Sequence, residues 1–213
     1  MTGADEERPV DPDAGPTNEW DDVAGEWDES EAVRAYAASA FESLERIAEE
    51  NGIPLAGARV IDFGCGTGVL TERLVAAGAE VVAIDSSTAM LTAVDRKIAE
   101  QGWTTVSTST DLTGADGRFD LIVCSSVCGF LDDYPADARD LASTLRAGGV
   151  FVQWDWERVD GDESDHGLSR SEITDALRAA GLEQIEVGRD FVIDIEGDSI
   201  RPLLGKGRRP VDR

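Results

Sequence analysis

Three glycines spaced two apart, Gly64, Gly66 and Gly68, stand in the stretch VIDFGCGTG, with the carboxylate of Asp62 just ahead of them. An apolar run leads into them and a helical spacing follows. The glycines therefore allow a tight strand-to-helix turn with its amide groups facing a ligand at the helix start. Asp85 ends the next apolar run, 21 positions past Gly64, where an acidic side chain can accept from both hydroxyls of a ribose.

A loop of this kind holds either a dinucleotide or S-adenosylmethionine, and Asp62 bears on the choice. The pyrophosphate of a dinucleotide is dianionic. At about 6 Å and an effective dielectric near 20, each pair of like unit charges costs roughly 3 kcal/mol. S-adenosylmethionine carries no phosphate there and presents an ammonium and a sulfonium, which a nearby aspartate favours. The charge suits a cationic ligand.

Other residues of the right chemistry are sparse. His166, the sole histidine, lies in GDESDHGLS, and Asp155 lies in QWDWE; both are weighed as general bases, His166 against a plain solvated loop residue. Strand alternation points Trp154 and Trp156 to the face opposite Asp155. Cys65, Cys124 and Cys128 form neither an even-numbered framework nor a CxxC clip for a metal. Cys124 and Cys128 are expected to be buried like small hydrophobes rather than to act as nucleophiles. No Pro-Cys pair marks cytosine-C5 chemistry, and CSSVCG stands where amino-group methylation of adenine uses Asn/Asp-Pro-Pro-aromatic.

The elements that must position these residues can be read from apolar periodicity. Val33, Ala37, Ala40, Leu44 and Ile47 predict a helix from Ser30 to Asn51-Gly52. Strands are predicted at Arg59–Asp62, Glu80–Ile84, Trp103–Thr110, Phe119–Cys124 and Val150–Trp154, the third polar enough for a sheet edge. Between them run helices marked by Leu70 and Leu74, by Met90 to Ile98 with Ser86 or Ser87 as cap, and by Ala138 to Leu145 closed at Gly148-Gly149. Ser169 and Glu172 form a capping box for a helix ending at Gly181. Gln184–Ile193 and Ile200–Lys206 are expected to make an antiparallel pair. Alternating strands and helices predict an α/β fold with ligands beyond the carboxyl ends of a parallel sheet.

A chain of 213 residues fits one domain. Its formal net charge of -25, from 44 acidic and 19 basic residues, repels phosphate backbones and anionic lipid. Arg201, Lys206, Arg208 and Arg209 are the one basic cluster, expected to be a solvated strand edge rather than a nucleic-acid arm. Lys97 and Lys206 are the only lysines, and the acidity runs through the whole chain, a pattern that resembles proteins of salt-loving archaea. Salt screens such self-repulsion, so the melting temperature is expected to rise between low and molar salt; an unchanged melt would contradict this. The first residues lack a basic segment followed by an apolar core, and no apolar run is long enough to span a bilayer, so no membrane association is expected. Three unpaired cysteines fit a reducing cytoplasm.

VIDFGCGTG, with Asp85 ending the next strand and Asp111-Leu112 ending the third, resembles the class I S-adenosylmethionine-dependent methyltransferases, from about Trp20 to Arg209. The resemblance implies a Rossmann-like, doubly wound, mostly parallel seven-stranded sheet with the last strand antiparallel, in a three-layer sandwich. It implies that Gly64 and Gly66 lie against the methionine part of the cofactor, that Asp85 binds the ribose, and that Ser86 and Met90 border the adenine. Asp111 would accept from the adenine amino group with the Leu112 amide nearby, and the Cys124 carbonyl would face the ammonium. NEWDDVAGEWDES resembles an amino-terminal segment folding over the cofactor, with Trp20, Trp27 and Tyr36 as lid residues; packing on the helix behind is the other reading of those aromatics.

The expected organisation is a disordered acidic tail over 1–18, a lid segment and helix over 19–52, and a cofactor-binding domain over 53–213. The expected function is methyl transfer from S-adenosylmethionine to a small-molecule acceptor, with no nucleic-acid partner. A nicotinamide-dependent oxidoreductase and a noncatalytic binding protein of the same fold are the alternatives. The acceptor, the catalytic base and the oligomeric state are not legible.

Overall fold

The structure, a computed structural model, describes residues 19–25, 27–115, 118–158, 167–195 and 198–211. The expected acidic tail over 1–18 and His166 lie outside the described residues.

Two short 3-10 turns, Glu19–Asp21 and Trp27–Glu29, lead into α1, Glu31–Glu50. Ser30 caps α1 by accepting from the Val33 amide, and Ala37, Ala40, Leu44 and Ile47 make its buried stripe. Then follow β1 (Arg59–Phe63), α2 (Val69–Ala76), β2 (Glu80–Ile84), α3 (Thr88–Gln101), β3 (Val106–Ser109), β4 (Phe119–Ser125), α4 (Tyr134–Thr144) and β5 (Leu145–Asp155). The chain ends with α5 (Arg170–Ala179), β6 (Glu183–Arg189), a small hairpin of β7 (Ile193–Ile195) and β8 (Asp198–Ile200), and β9 (Leu203–Arg208).

Seven strands form one sheet in the order β3-β2-β1-β4-β5-β9-β6. Neighbours from β3 to β5 pair in parallel, whereas β9 is antiparallel to both β5 and β6. Strand alternation divides the core between the two faces. Val60, Leu121, Val123, Val152 and Trp154 pack with α1 and α2, while Ile61, Ile122, Cys124 and Phe151 pack with α4 and α5. The order reverses between β1 and β4, and that switch point is where a crevice opens beyond the strand ends.

Two local expectations are corrected. Leu145 does not end the fourth helix: it opens β5 opposite Phe119, and Gly148 and Gly149 lie inside the strand. A Cβ on Gly149 would sit 3.0 Å from the Phe119 carbonyl, so the glycine lets two backbones approach where the register shifts. The basic carboxyl-terminal stretch is not a solvated edge, because β9 is paired on both sides. Lys206 bridges Glu50 and Glu186 at 3.3 and 3.2 Å, and Arg209 donates to the carbonyls of Ala142, Ser143 and Leu145. Gly205 and Gly207 carry no side chain to bury, which let this strand pass unrecognised as internal; a Cβ on Gly205 would lie 2.5 Å from Ile173 of α5.

Candidate active site

A cavity of about 510 Å³ opens beyond the carboxyl ends of the central strands. Asp62 and Phe63 of β1, the glycine loop, Asp85, Ser86 and Met90 line one part of it. Ser125 at the end of β4, Ser126 and Val127 after it, Phe130, and Trp156 after β5 line another, with Trp20, Trp27, Val33 and Tyr36 from the amino-terminal segment over them. Of the residues expected from the sequence, Asp62, Gly64, Gly66, Asp85, Ser86 and Met90 are thus brought together.

The glycine loop owes its shape to positive φ at Gly64, Gly66 and Gly68. Three of its amides are directed otherwise than the sequence leads one to expect. Those of Gly64 and Cys65 donate to the Ile84 carbonyl at 2.8 and 3.0 Å, and that of Gly66 donates to Asp85 Oδ2 at 2.8 Å. Asp85 Oδ1 also accepts from the Ser87 amide at 2.9 Å. These donors hold the loop to the end of β2, so the amides of Gly64, Cys65 and Gly66 are turned to the protein rather than to a ligand.

Asp62 is 1% exposed. Its Oδ2 accepts from the Thr71 hydroxyl at 2.6 Å, while its buried Oδ1 has no partner among the described residues. Burial pushes its carboxyl up to about 7, against the Thr71 hydrogen bond and with help from Asp85. Burial likewise raises Asp85. Two carboxyl groups thus face one cavity, and one oxygen, Asp62 Oδ1, has no partner among the described residues.

The remaining candidates lie elsewhere. Asp111 is exposed and caps its own turn, accepting from the Thr113 amide at 2.8 Å and from the Thr113 hydroxyl; these bonds hold its carboxyl below the usual range. Thr110, its neighbour, lines the cavity instead. Leu112 packs against the core on the α4 and α5 side, where the Cys124 side chain is also buried. All three cysteines are free and buried, and burial raises each thiol, which leaves little thiolate for nucleophilic work.

Asp155 is buried behind the cavity wall. It accepts from the Gly129 amide at 3.1 Å and from Gln153 Nε2 at 3.0 Å, and Gln153 Oε1 accepts from the Tyr134 hydroxyl at 2.5 Å. Its carboxyl therefore pins the 3-10 turn Cys128–Phe130 to the end of β5. Burial pushes it up to about 7, with the Gly129 and Gln153 bonds opposing. Asp62 and Asp155 together make a pH prediction. Each keeps its proton in the fold up to about pH 7, whereas the unfolded chain loses it near 3.8. Between those values the folded state binds more protons, so stability falls as pH rises through the window, by at most about 4 kcal/mol per carboxyl. Urea unfolding in molar salt should show Asp155→Asn to be less pH-dependent than the wild type between pH 5 and 8. Equal slopes would contradict the assignment.

The amino-terminal segment is fastened across the glycine loop. Asp21 Oδ1 accepts from the Ser87 hydroxyl at 2.6 Å, and Asp28 accepts from the Thr67 hydroxyl and pairs with Lys97 at 2.8 Å. Trp20 meets Trp27 and Phe130 edge-to-face at 6.0 and 5.1 Å. Thr71, Ser126, Val127 and Phe130 were not singled out in the sequence. Ser126, with φ of 57° in a region costly for non-glycine residues, lies at the strand end but has no local signature.

A family profile described as "Methyltransferase domain" matches residues 30–187. The ubiquinone biosynthesis O-methyltransferase of Cereibacter sphaeroides is 30% identical over 171 residues, which cover 76% of this chain and 64% of that protein. The chain spans about half the length of the curated relatives it matches. Among solved structures, magnesium protoporphyrin IX methyltransferase from Synechocystis PCC 6803 with bound SAH superposes with a TM-score of 0.63 at 20% identity, covering 92% of this chain and 89% of that one. An S-adenosylmethionine-dependent methyltransferase from Clostridium acetobutylicum has a TM-score of 0.63 at 18% identity, covering 91% and 100%.

Proposed function

The chain belongs to the class I S-adenosylmethionine-dependent methyltransferases, and from that membership we propose that it transfers the methyl group to a small-molecule acceptor by in-line displacement within the cavity. The observation that carries this reading is the unpartnered Oδ1 of Asp62, a buried acceptor on the cavity wall. A buried polar atom left without a partner costs about 1–3 kcal/mol, and a cationic ligand relieves it. The two carboxylates on the cavity wall tell against the nicotinamide alternative, since a pyrophosphate would face Asp62 and Asp85 and find the amides of Gly64, Cys65 and Gly66 already bonded.

On this reading Asp62, Gly64 and Gly66 hold the methionine part, Asp85 accepts from the ribose, and Ser86 and Met90 border the adenine. Asp111, Leu112 and Cys124 stand outside the cavity lining; the Cys124 carbonyl, next to the lining residue Ser125 at the end of β4, keeps its expected role facing the cofactor's ammonium. Trp20 and Trp27 of the amino-terminal segment cover the site as part of a lid. When bound, S-adenosylmethionine supplies a methyl carbon activated by positive sulfur. The protein aligns the acceptor with that carbon and excludes water, for which the aromatic cover is suited. Tyr36 donates to the Trp154 carbonyl at 3.2 Å, and burial keeps its hydroxyl neutral, so it orients rather than deprotonates.

Relatives named for O-methylation in ubiquinone biosynthesis support a small-molecule acceptor. Among the described residues no helix is long and apolar enough to cross a membrane, and three free thiols suit a cytoplasmic setting. Incubation with S-adenosylmethionine and a panel of small hydroxyl, amine and thiol acceptors tests the proposal. It expects S-adenosylhomocysteine to accumulate with at least one of them. Binding of the cofactor with no turnover across the panel would favour the noncatalytic alternative.

A further inference from the structure

The cavity is longer than the part assigned to the cofactor. Asp85 follows β2, Asp62 lies in β1 and Trp156 follows β5, and the order β2-β1-β4-β5 with strands about 4.8 Å apart sets β5 roughly 10 Å across the sheet from β1 and farther from β2. At the β5 end the described lining is uncharged and largely aromatic and apolar: Tyr36, Trp156 and Ile200, with Ser126 beside them, its amide donating to the Trp154 carbonyl at 2.7 Å. Trp156 is 41% exposed although it lines the cavity, an unusual exposure for an indole with nothing else to do. Tyr36 stands 6.3 Å from it, tilted by 36°, and is fixed both by its bond to the Trp154 carbonyl and by an edge-to-face contact with Phe191 at 5.3 Å. Ile200 reaches this end from the β7–β8 hairpin, whose Ile193 and Ile195 pack on the α1 core.

Building on the methyl-transfer reading above, we propose that Tyr36, Trp156 and Ile200 form the methyl-acceptor subsite, and that it takes a flat, uncharged aromatic ring stacked on Trp156. Flatness follows from the rigid indole and phenol faces. Charge follows from the rest of the cavity. The charged side chains among the described lining residues are the carboxylates of Asp62 and Asp85, which disfavour an anion. A cation would be set beside the positive sulfur of the cofactor. A neutral ring meets neither penalty.

Calorimetry on the full chain saturated with S-adenosylhomocysteine tests this, with 1-naphthol, 1-naphthoate and the saturated bicycle 1-decalol as probes. The proposal expects 1-naphthol to bind, and 1-naphthoate and 1-decalol to bind at least about fivefold more weakly. Trp156→Ala should weaken 1-naphthol about tenfold, and Trp156→Phe less than about threefold, with S-adenosylhomocysteine affinity within about twofold in both. The proposal is overturned if naphthoate or decalol matches naphthol, if Trp156→Ala leaves naphthol unchanged, or if naphthol fails to bind the saturated protein. That last result, with S-adenosylhomocysteine bound, removes the subsite alone; failure of S-adenosylhomocysteine itself to bind removes the cofactor reading and the subsite with it.

Discussion

Replacing Asp62 by asparagine is expected to weaken S-adenosylmethionine binding by between about 10-fold and 100-fold while making the free protein more stable at pH 8. The two effects have one cause. A carboxylate that is 1% exposed and half-satisfied is costly to keep ionised, which is why burial moves it from 3.8 to about 7. That displacement is worth at most about 4 kcal/mol at pH 8. Asparagine retains an oxygen for the Thr71 hydroxyl but leaves an amide group where Oδ1 had no partner, returning about 1–3 kcal/mol of the gain. A net gain of roughly 1–3 kcal/mol by urea unfolding is expected. In the complex the loss is a hydrogen bond to a charged group, about 1.5–3 kcal/mol. Unchanged affinity would remove Asp62 from the site, and lower stability at pH 8 would remove the strain attributed to it.

Gly64→Ala is expected to destabilise the protein by about 2–5 kcal/mol, and Gly66→Ala by only about 1–2. Both glycines have positive φ, 69° and 53°, so each substitution bears the backbone term of about 1–2 kcal/mol. They differ in surroundings. A Cβ on Gly64 would lie 2.4 Å from Val127 Cγ2 and 2.5 Å from Val127 Cβ, an overlap of the kind that costs a further 1–3 kcal/mol or so. A Cβ on Gly66 would meet Trp27 Nε1 at 3.5 Å, an ordinary contact. Val127→Ala keeps the offending Cβ and should not rescue Gly64→Ala, whereas Val127→Gly should restore part of the loss. Equal unfolding free energies for the two alanine variants would contradict this account of the loop.

The same two positions show how far the sequence could be read. Glycine spacing, the strand before it and the acidic residue ending the next strand are local signals that led to Asp62, Gly64, Gly66 and Asp85, and the family resemblance added Ser86 and Met90, all on the cavity wall. Strand boundaries and the Ser169 capping box were legible for the same reason, since apolar period and cap chemistry are set within a few residues. Contacts made across the chain were not. Nothing near Gly64 in sequence names Val127 as its neighbour, nothing near Asp111 says that its carboxylate caps Thr113, and the amides of the loop could be seen to exist but not where they point. The antiparallel pairing of β9 with β6 was legible, but the place of β9 inside the sheet was not, for a physical reason of another kind. Its glycines and arginines look like a solvated strand edge, yet they are what a strand needs when a helix lies close above it and carbonyls at the sheet end await donors. Asp155 illustrates the limit for catalysis. A carboxylate at a strand end reads as a base, but its partners, Gly129 and Gln153, turn it into a tie between β5 and the turn that carries Phe130.

Underlying all of this is the matching of a buried negative charge to a positive guest. Calorimetric titration of the full chain in molar salt at pH 8, with S-adenosylmethionine in one experiment and NADH in another, tests it most directly. Saturable one-to-one binding of S-adenosylmethionine with no detectable heat from NADH is predicted. Tight binding of NADH with none of the sulfonium compound would contradict it.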